Sequence, residues 1–274
     1  MPITPSLHIR DITDAEFTSI DEVVMRCAYA CQNKFGRLFD ERIYENDLAE
    51  RLRAEGFTVH TQVPVTVTHG GFEKVYYLDL VVNDLIYELK VAAAFLPEHK
   101  AQALHYAMLQ DVRRVKLLNF GGPKVRGDLQ WNTLTTAERH RPRQRKTGWQ
   151  PITPQCERLV GHIKDLIKDW GTHLSTDLYN EALIHFFGGE PHCLARHEVR
   201  AGDRVLGTHL IQHHAPDAGF IVTTLQREQA AFQLQLKNLL EHVSLQGLQW
   251  INLNRSRLEI TTLQSNDRRM RAGE

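Results

Sequence analysis

The sequence predicts an α/β protein in which a mixed central sheet is flanked by helices, and it predicts two tandem copies of that fold. The first half of the 274 residues carries helix and strand patterns in the order helix, three strands, helix, strand. A basic stretch with prolines interrupts the pattern, and the same order returns beyond it, as in a long-period internal repeat. We therefore expect a first domain at residues 1–130, a basic linker or exposed loop at 131–155, and a second domain at 156–274.

The first half of the sequence begins with two predicted amphipathic helices. Apolar side chains recur at helical spacing over residues 14–31, and again between the glycines at 36 and 56, which mark a break and a helix end. Glu41 lies three residues before Tyr44 and shares its helical face. We therefore expect this carboxylate to face the core side of the second helix.

Apolar runs with strand-like patterning follow the two helices. Two of these runs are separated only by Asn83 and Asp84, a pair that is typical of a tight hairpin turn. The predicted strands cover residues 58–67, 75–82, 85–91 and 115–120, and a helix is predicted over 97–112.

The hairpin carries three charges within an apolar context. If Asn83 and Asp84 form the loop, Asp79 stands directly opposite Glu88 on one sheet face, with β-carbons roughly 5 Å apart. Lys90 lies two residues beyond Glu88 and so shares that face. Two carboxylates at this separation repel each other, and a hard divalent cation such as Mg²⁺ would satisfy both.

Glu41 supplies a third carboxylate, which we expect to come from the helix packed over that face. Lys90 would then orient a water molecule or stabilise negative charge at a phosphate, so the set favours metal-assisted hydrolysis of a phosphodiester. The alternative is a salt-bridged strand pair on a solvated face. Neighbouring positions on the face are apolar, which indicates that it is covered: Tyr77, Val81 and Ile86.

Asp79 followed by Glu88-Leu89-Lys90 resembles the D…ExK signature of the PD-(D/E)XK nuclease superfamily. Within it, residues 20–125 closely resemble the GxxExxY protein family, although Leu38 replaces that family's second glycine. The matching residues are Gly36, Glu41, Tyr44, Gln62, Asp79, Glu88, Leu89, Lys90, Gln102 and the LLNFG run at 117–121. Gln102 and Tyr106 also match the QxxxY element of RecB-like nucleases.

This resemblance implies a restriction-endonuclease-like αβββαβ core and a nuclease that uses Mg²⁺ or Mn²⁺. The implied metal ligands are Glu41, Asp79 and Glu88, with Lys90 as the catalytic lysine and Gln102 as a supporting residue. Tyr106 would lie near the active site. Nucleic acid is the implied substrate, with DNA favoured over RNA.

The second half resembles a degenerate copy of the first. Gly171, Tyr179, Gln235 and Asn252 align with Gly36, Tyr44, Gln102 and Asn119. The acidic set is missing: Thr176 stands at the place of Glu41, Gln212 or a neighbour replaces Asp79, and Val222 and Thr224 fall near the places of Glu88 and Lys90. We expect this copy to be a pseudo-dimer partner or a surface that positions nucleic acid.

Composition excludes a global basic field, because Lys plus Arg and Asp plus Glu both total 33. One local run of basic residues is compatible with a solvated loop or with contacts to phosphate groups of nucleic acid. It consists of Arg139, Arg141, Arg143, Arg145 and Lys146. The four cysteines show no disulfide framework, and no signal peptide or membrane-length apolar run is apparent. These features predict a cytoplasmic protein without a membrane association.

Two other functions fit the same residues. A non-catalytic nucleic-acid-binding or scaffold protein would keep the nuclease fold and motif, and a small-molecule metal hydrolase would enclose its site in a pocket. The internal repeat is compatible with a homodimer or with an intramolecular pseudo-dimer.

Overall fold

A computed structural model of the chain describes residues 2–146 and 148–265. The chain divides into two compact units, with the division between Thr133 and Leu134. The end of the predicted second domain, residues 266–274, lies outside the described residues. In the described part of the chain, no helix is both long and apolar enough to cross a membrane.

The first unit is a six-stranded mixed sheet with helices. Its helices are α1 (Asp14–Phe35), α2 (Glu41–Ala54) and α3 (Pro97–Leu109). Its strands are β1 (Ile3–Pro5), β2 (Val59–His69), β3 (Phe72–Val82), β4 (Leu85–Lys90), β5 (Arg114–Asn119) and β6 (Arg126–Trp131). The strands follow one another in sequence order across the sheet.

Only β4 and β5 are parallel in this sheet, and every other neighbouring pair is antiparallel. A parallel pair needs a long crossover, and α3 supplies it. The αβββαβ order predicted from the sequence is therefore confirmed. Strands β1 and β6 were not predicted, because both are short edge strands with weak apolar patterning.

The hairpin register is confirmed in the pairs nearest the turn. Val82 pairs with Leu85, and the ladder continues outward through the next two pairs to Leu80 and Tyr87. The backbone ladder ends there, one position before Asp79 and Glu88. This opening in the sheet determines where the charged side chains lie.

The second unit repeats the architecture. Its helices are α4 (Thr136–His140), α5 (Gln155–Trp170), α6 (Thr176–Phe186), α7 (Glu190–Cys193) and α8 (Gln229–His242). Its strands are β7 (Arg143–Arg145), β8 (Leu194–Ala201), β9 (Arg204–Ala215), β10 (Ala218–Thr223), β11 (Gly247–Asn254) and β12 (Arg257–Gln264).

Strand order β8 to β12 in the second sheet matches β2 to β6 in the first, and β10–β11 is the parallel pair that matches β4–β5. The extra strand lies at a different edge, with β7 beside β12 and β1 beside β2. The long β8–β9 hairpin contains a register shift at Val199 and Arg200. The described residues thus form two mixed sheets flanked by helices, as the sequence predicts.

In both units a tyrosine side chain hydrogen-bonds to the backbone of the turn that precedes its helix. We call such a side-chain-to-backbone link a bracket. The Tyr44 hydroxyl donates to the Gly36 carbonyl at 2.9 Å, and the Tyr179 hydroxyl donates to the Gly171 carbonyl at 2.6 Å. In both places the glycine follows the preceding helix with a positive φ, +74° and +79°, which other residues rarely adopt. The tyrosine therefore fixes the same sharp turn between consecutive helices in each unit.

A second bracket anchors the end of the parallel strand pair. The Asn119 side chain accepts from the Ala92 N–H at 3.0 Å and donates to the Ala92 carbonyl at 2.8 Å. Asn252 holds Leu225 in the same way, at 2.8 and 3.0 Å. Both asparagines are almost fully buried, so each amide satisfies backbone groups that would otherwise be costly to bury.

This bracket corrects the sequence alignment of the second unit by one residue. Lys90 is the partner of Asn119 in the parallel ladder, and Thr223 is the partner of Asn252. Thr223 therefore corresponds to Lys90, and Ile221 corresponds to Glu88. The sequence placed these equivalents near Val222 and Thr224, one residue away, because apolar patterning alone does not fix a strand register that the buried asparagine fixes.

The basic stretch also differs from the expected linker or loop. It contains α4 and the edge strand β7, which pairs with β12 in parallel. Arg139 is 2% exposed, and its guanidinium donates to the carbonyls of Trp170 and Thr172 at 2.8 and 3.0 Å. The stretch is therefore folded into the second unit.

Burial of His214 predicts a pH-dependent stability of the second unit. The ring lies among Phe187, Phe220 and the Cys156 sulfur, and burial, aided by the charge of His213, lowers the pKa of His214 to about 4. The folded-state pKa lies below the ordinary 6.5, so this contribution is present above pH 6.5 and is lost as pH falls towards 4. The loss amounts to roughly 3 kcal/mol.

Urea unfolding at pH 7 and pH 4 measures this effect. We expect His214→Phe to show a smaller loss of unfolding free energy over that interval than the wild type, whereas His209→Asn, at an exposed histidine, should keep the wild-type slope. Identical slopes for His214→Phe and the wild type would contradict the assignment.

Candidate active site

The predicted acidic residues and the lysine meet where the β3–β4 ladder ends. The Lys90 ammonium lies 2.6 Å from Glu88 Oε1 and 3.8 Å from Glu41 Oε1. Asp79 Oδ2 accepts the Leu89 backbone N–H at 2.9 Å. The Asp79 side chain thus takes the place of a strand carbonyl immediately beyond the last backbone pair.

These charges are buried, which rules out the alternative of a solvated salt-bridged strand pair. Glu88 is 1% exposed and Asp79 is 9% exposed, and the Lys90 side chain is 14% exposed. Val81 and Ile86 are fully buried, as expected for a covered face. Tyr77 was expected to help cover that face, but it is half exposed.

Glu41 reaches the site by a different route from the one predicted. It is the first residue of α2, and the α2 side chains Tyr44 and Leu48 pack with Leu80 and Tyr87, which alternate along their strands with Asp79 and Glu88. The helix therefore packs on the opposite sheet face. Its first turn brings Glu41 to Lys90 at the point where the ladder has ended.

Burial and mutual repulsion raise the pKa values of the acids. Burial raises the pKa of Glu41 to about 7, with the charges of Asp79 and Glu45 adding to the rise and Lys90 opposing it. Burial, then Asp79, raises the pKa of Glu88 well above its usual range. For Lys90, burial favours a lower pKa, but the neighbouring carboxylates outweigh it and raise the pKa. The Lys90 ammonium therefore lies among several closely spaced carboxyl groups.

Two further residues belong to this cluster. Glu45 lies one helical turn after Glu41, is 2% exposed, and has a pKa raised by burial. The Gln62 amide donates to Glu45 Oε2 at 2.7 Å and approaches Asp79 Oδ1 at 3.4 Å. Neither Glu45 as a site residue nor a role for Gln62 was predicted from the sequence. The i,i+4 spacing of Glu41 and Glu45 was the available signal.

Gln62 is held in a strained backbone conformation. Its φ is +51°, in a strand, where the β2–β3 register passes from Thr61–Leu80 to Val63–Leu78 without a pair for Gln62 and Asp79. A non-glycine residue in this region costs about 1–3 kcal/mol and persists where the surroundings enforce it. The irregularity directs the amide between two buried carboxylates.

Substitution of Gln62 separates strain from positioning. If the cluster hydrolyses phosphodiesters, as the sequence predicts, both Gln62→Ala and Gln62→Gly should lower the cleavage rate about 10–100-fold, because the amide that orients Asp79 is lost. Gln62→Gly should be the more stable variant, by about 1 kcal/mol, since glycine adopts positive φ without strain. Rates and urea unfolding measure these effects, with Gln144→Ala in the second unit as the control. A wild-type rate in Gln62→Gly would show that the amide is dispensable.

The α3 helix contributes the predicted glutamine and tyrosine. The Gln102 amide donates to the Tyr106 hydroxyl at 3.1 Å, so the pair shares one helical face. Burial, and then the charge of Glu88, raises the pKa of Tyr106. Tyr106 is therefore an uncharged group near the acids.

The donor set suits a hard divalent cation. Glu88 Oε2 is a buried carboxylate oxygen without a hydrogen-bond partner, and the Asp79 carboxylate is near enough to raise the pKa of Glu88. Within the described ranges, no group of three or more histidine, cysteine or acidic side chains is already arranged to hold a metal. Lys90 contacts Glu41 and Glu88 instead, so cation binding would require these side chains to adjust.

The geometry thus brings together a strand aspartate, an ELK triplet and a helix glutamate. Residues 18–131 match the family model of the PD-(D/E)XK nuclease superfamily. This PD-(D/E)XK match covers every residue of the acidic cluster. Searches of curated proteins and of solved structures found no match.

The second unit lies outside the PD-(D/E)XK match, yet it has the same mixed α/β arrangement. At the places of Glu88 and Lys90 it has Ile221 and Thr223, and Thr176 begins α6 as Glu41 begins α2. The acidic cluster of the PD-(D/E)XK segment has no counterpart at these positions.

The basic residues predicted to contact nucleic acid also lie outside the PD-(D/E)XK match. The prediction is wrong for Arg139, because this side chain is buried against the carbonyls that it binds. The others are exposed: Arg141, Arg143, Arg145 and Lys146. Lys146 also lies over the Trp149 ring at 4.2 Å. These four remain candidates for phosphate contacts.

Proposed function

We propose that the first unit is a metal-dependent nuclease that hydrolyses phosphodiester bonds in nucleic acid, with DNA as the favoured substrate. The observation that carries this proposal is Glu88, a fully buried carboxylate with one unpartnered oxygen, placed beside Asp79, Glu41 and Lys90. A salt bridge with a purely structural role would be expected to satisfy both carboxylate oxygens, because an unsatisfied buried acceptor is costly. The superfamily match of residues 18–131 supports the same chemistry.

Glu41, Asp79 and Glu88 are the residues that would hold Mg²⁺ or Mn²⁺, and such an ion supplies charge neutralisation at the phosphate and an activated water. Lys90 places a positive charge at the same point, where it stabilises negative charge that develops on a phosphate oxygen. Gln62 holds Asp79 in position, and Gln102 holds the Tyr106 hydroxyl at the α3 side of the site. The low exposure of the cluster strengthens these interactions by excluding water.

A cleavage assay tests the proposal. Single- and double-stranded DNA and RNA are incubated with the full chain and Mg²⁺ or Mn²⁺, with EDTA as the blank. Isothermal titration with Mn²⁺ gives a readout that does not depend on activity, and Glu88→Gln should abolish both binding and cleavage. If wild type and Glu88→Gln bind Mn²⁺ equally, the ligand assignment is wrong.

A non-catalytic nucleic-acid-binding or scaffold protein is the second candidate. The observation that favours it is the Lys90 ammonium, which lies within ion-pair distance of Glu88 and Glu41. This candidate predicts nucleic-acid binding that neither depends on a divalent cation nor leads to cleavage. It also predicts that Lys90→Ala lowers stability without a change in the chemistry of any bound strand.

Self-association is a further part of the proposal. The repeated architecture would allow the second unit to act as a pseudo-dimer partner for the first, in which case the chain would be monomeric. Light scattering distinguishes this from a homodimer.

A further inference from the structure

The second unit contains a cavity of about 470 Å³. Most of its wall is aliphatic and comes from several helices and strands of the unit. The side chains that define it are Ile184 of α6, Ile211 of β9, Ile221 of β10, Leu236 and Leu239 of α8, and Leu248 of β11. A void of this size and character falls within the range of small-molecule binding pockets, and walls on several sides distinguish it from a flat docking face.

The cavity occupies the place that the acidic cluster occupies in the first unit. Ile221 corresponds to Glu88 through the asparagine bracket, and Asn180 follows Tyr179 as Glu45 follows Tyr44. The β9–β10 ladder also ends early, at the pair formed by His213 and Gly219. Continuing that register places Ile211 opposite Ile221, which is the relation of Asp79 to Glu88.

The chemistry of the wall defines the occupant. Among the described residues, no aspartate, glutamate, lysine or arginine lines the cavity, and the polar side chains at its wall are Asn180, His209 and Gln212. Asn180 does line it, and its Oδ1 is buried without a hydrogen-bond partner. An uncharged ligand avoids the cost of burying a charge against aliphatic walls, and a single N–H or O–H group would satisfy the amide oxygen.

We propose that this cavity is a binding site for an uncharged, mainly apolar small molecule that carries one hydrogen-bond donor. The second unit would then be a ligand-binding module built on the fold of the first unit, with apolar side chains at the positions of the acids. The proposal does not depend on nuclease activity in the first unit.

N-phenyl-1-naphthylamine is a suitable probe, because it is uncharged, has one N–H, and fluoresces strongly in apolar sites. With the full chain we expect saturable binding of one molecule per chain. Methyl NMR spectra of isoleucine-labelled protein should show shifts at Ile184, Ile211 and Ile221. This readout needs no substitution, so it is independent of the folding of any variant.

Leu239 lines the cavity, so Leu239→Trp should fill part of it and weaken probe binding at least about tenfold. Leu234→Trp is the matched control, since Leu234 lies on the same helix and is 59% exposed, and it should bind the probe as the wild type does. Asn180→Leu should remove the preference for the probe over 1-phenylnaphthalene, which has no N–H.

Three results of the binding experiments would overturn the proposal. They are the absence of saturable fluorescence, methyl shifts confined to residues outside the cavity, and equal affinity in Leu239→Trp and the wild type. A concentration-dependent dimer whose dissociation alone shifts the cavity methyls would place a second copy of the chain there, and would also overturn it.

Discussion

Lys90→Ala is expected to lower the rate of phosphodiester cleavage at least about 100-fold, because a charge aimed at the reacting phosphate contributes at least that much in a water-excluded site. The effect should appear in kcat, since Lys90 is 14% exposed and lies among the proposed metal ligands. Single-turnover cleavage of a fluorescent oligonucleotide measures it.

Lys90→Ala also leaves Glu88 buried without its cation, which is expected to cost about 3–5 kcal/mol of unfolding free energy. Urea unfolding must therefore accompany the kinetics, and Lys90→Arg, which keeps the charge, should retain most of the stability. Lys100→Ala serves as the control, because Lys100 is an exposed lysine of α3 paired with Asp128. Cleavage that survives Lys90→Ala in a folded protein would disprove the mechanism.

The second large effect concerns Asp79, which has both a chemical and a structural role. Asp79→Asn keeps an oxygen that accepts the buried Leu89 N–H but removes the charge. We expect it to cleave at least about 100-fold more slowly and to differ in stability from the wild type by less than about 1 kcal/mol. Asp79→Ala should be equally inactive.

Asp79→Ala should also be less stable by roughly 1–3 kcal/mol, because it leaves the Leu89 N–H without an acceptor in the core. Parallel urea titrations of the two variants separate the roles. Equal stability would mean that the carboxylate does not support the strand, and wild-type cleavage by Asp79→Asn would remove it from the proposed chemistry.

Local patterns predicted much of the first unit. The two-residue turn at Asn83 and Asp84 fixed the hairpin, so the proximity of Asp79, Glu88 and Lys90 could be derived by counting. The packing side of α2 could not be derived in this way. Counting places Asp79 and Glu88 on one sheet face, whereas α2 packs on the other. Glu41 reaches Lys90 because the β3–β4 ladder stops before these residues, and the strand sequences alone do not show where it stops.

Glu45 as a site residue and the role of Gln62 were not predicted from the sequence. Each residue type is ordinary at its position, and only the positive φ of Gln62 brings the amide between two acids. Sequence periodicity assumes regular strands, so it gives no signal for an irregular residue. In the second unit, the alignment was one residue off because Asn252, rather than the apolar run, sets the register.

The exposed edge strand β8 has a consequence for how the whole chain folds. It is a sheet edge of eight residues, and an unpaired edge of that length is a template for pairing with any other free edge. Because both sheets belong to one polypeptide, each sheet meets the free edges of the other at a high effective concentration. The charged residues Arg196, Glu198 and Arg200, with the register shift beside Arg200, make β8 a poor partner for another strand. A protein that carries two sheets in tandem is thereby protected against merging them during folding.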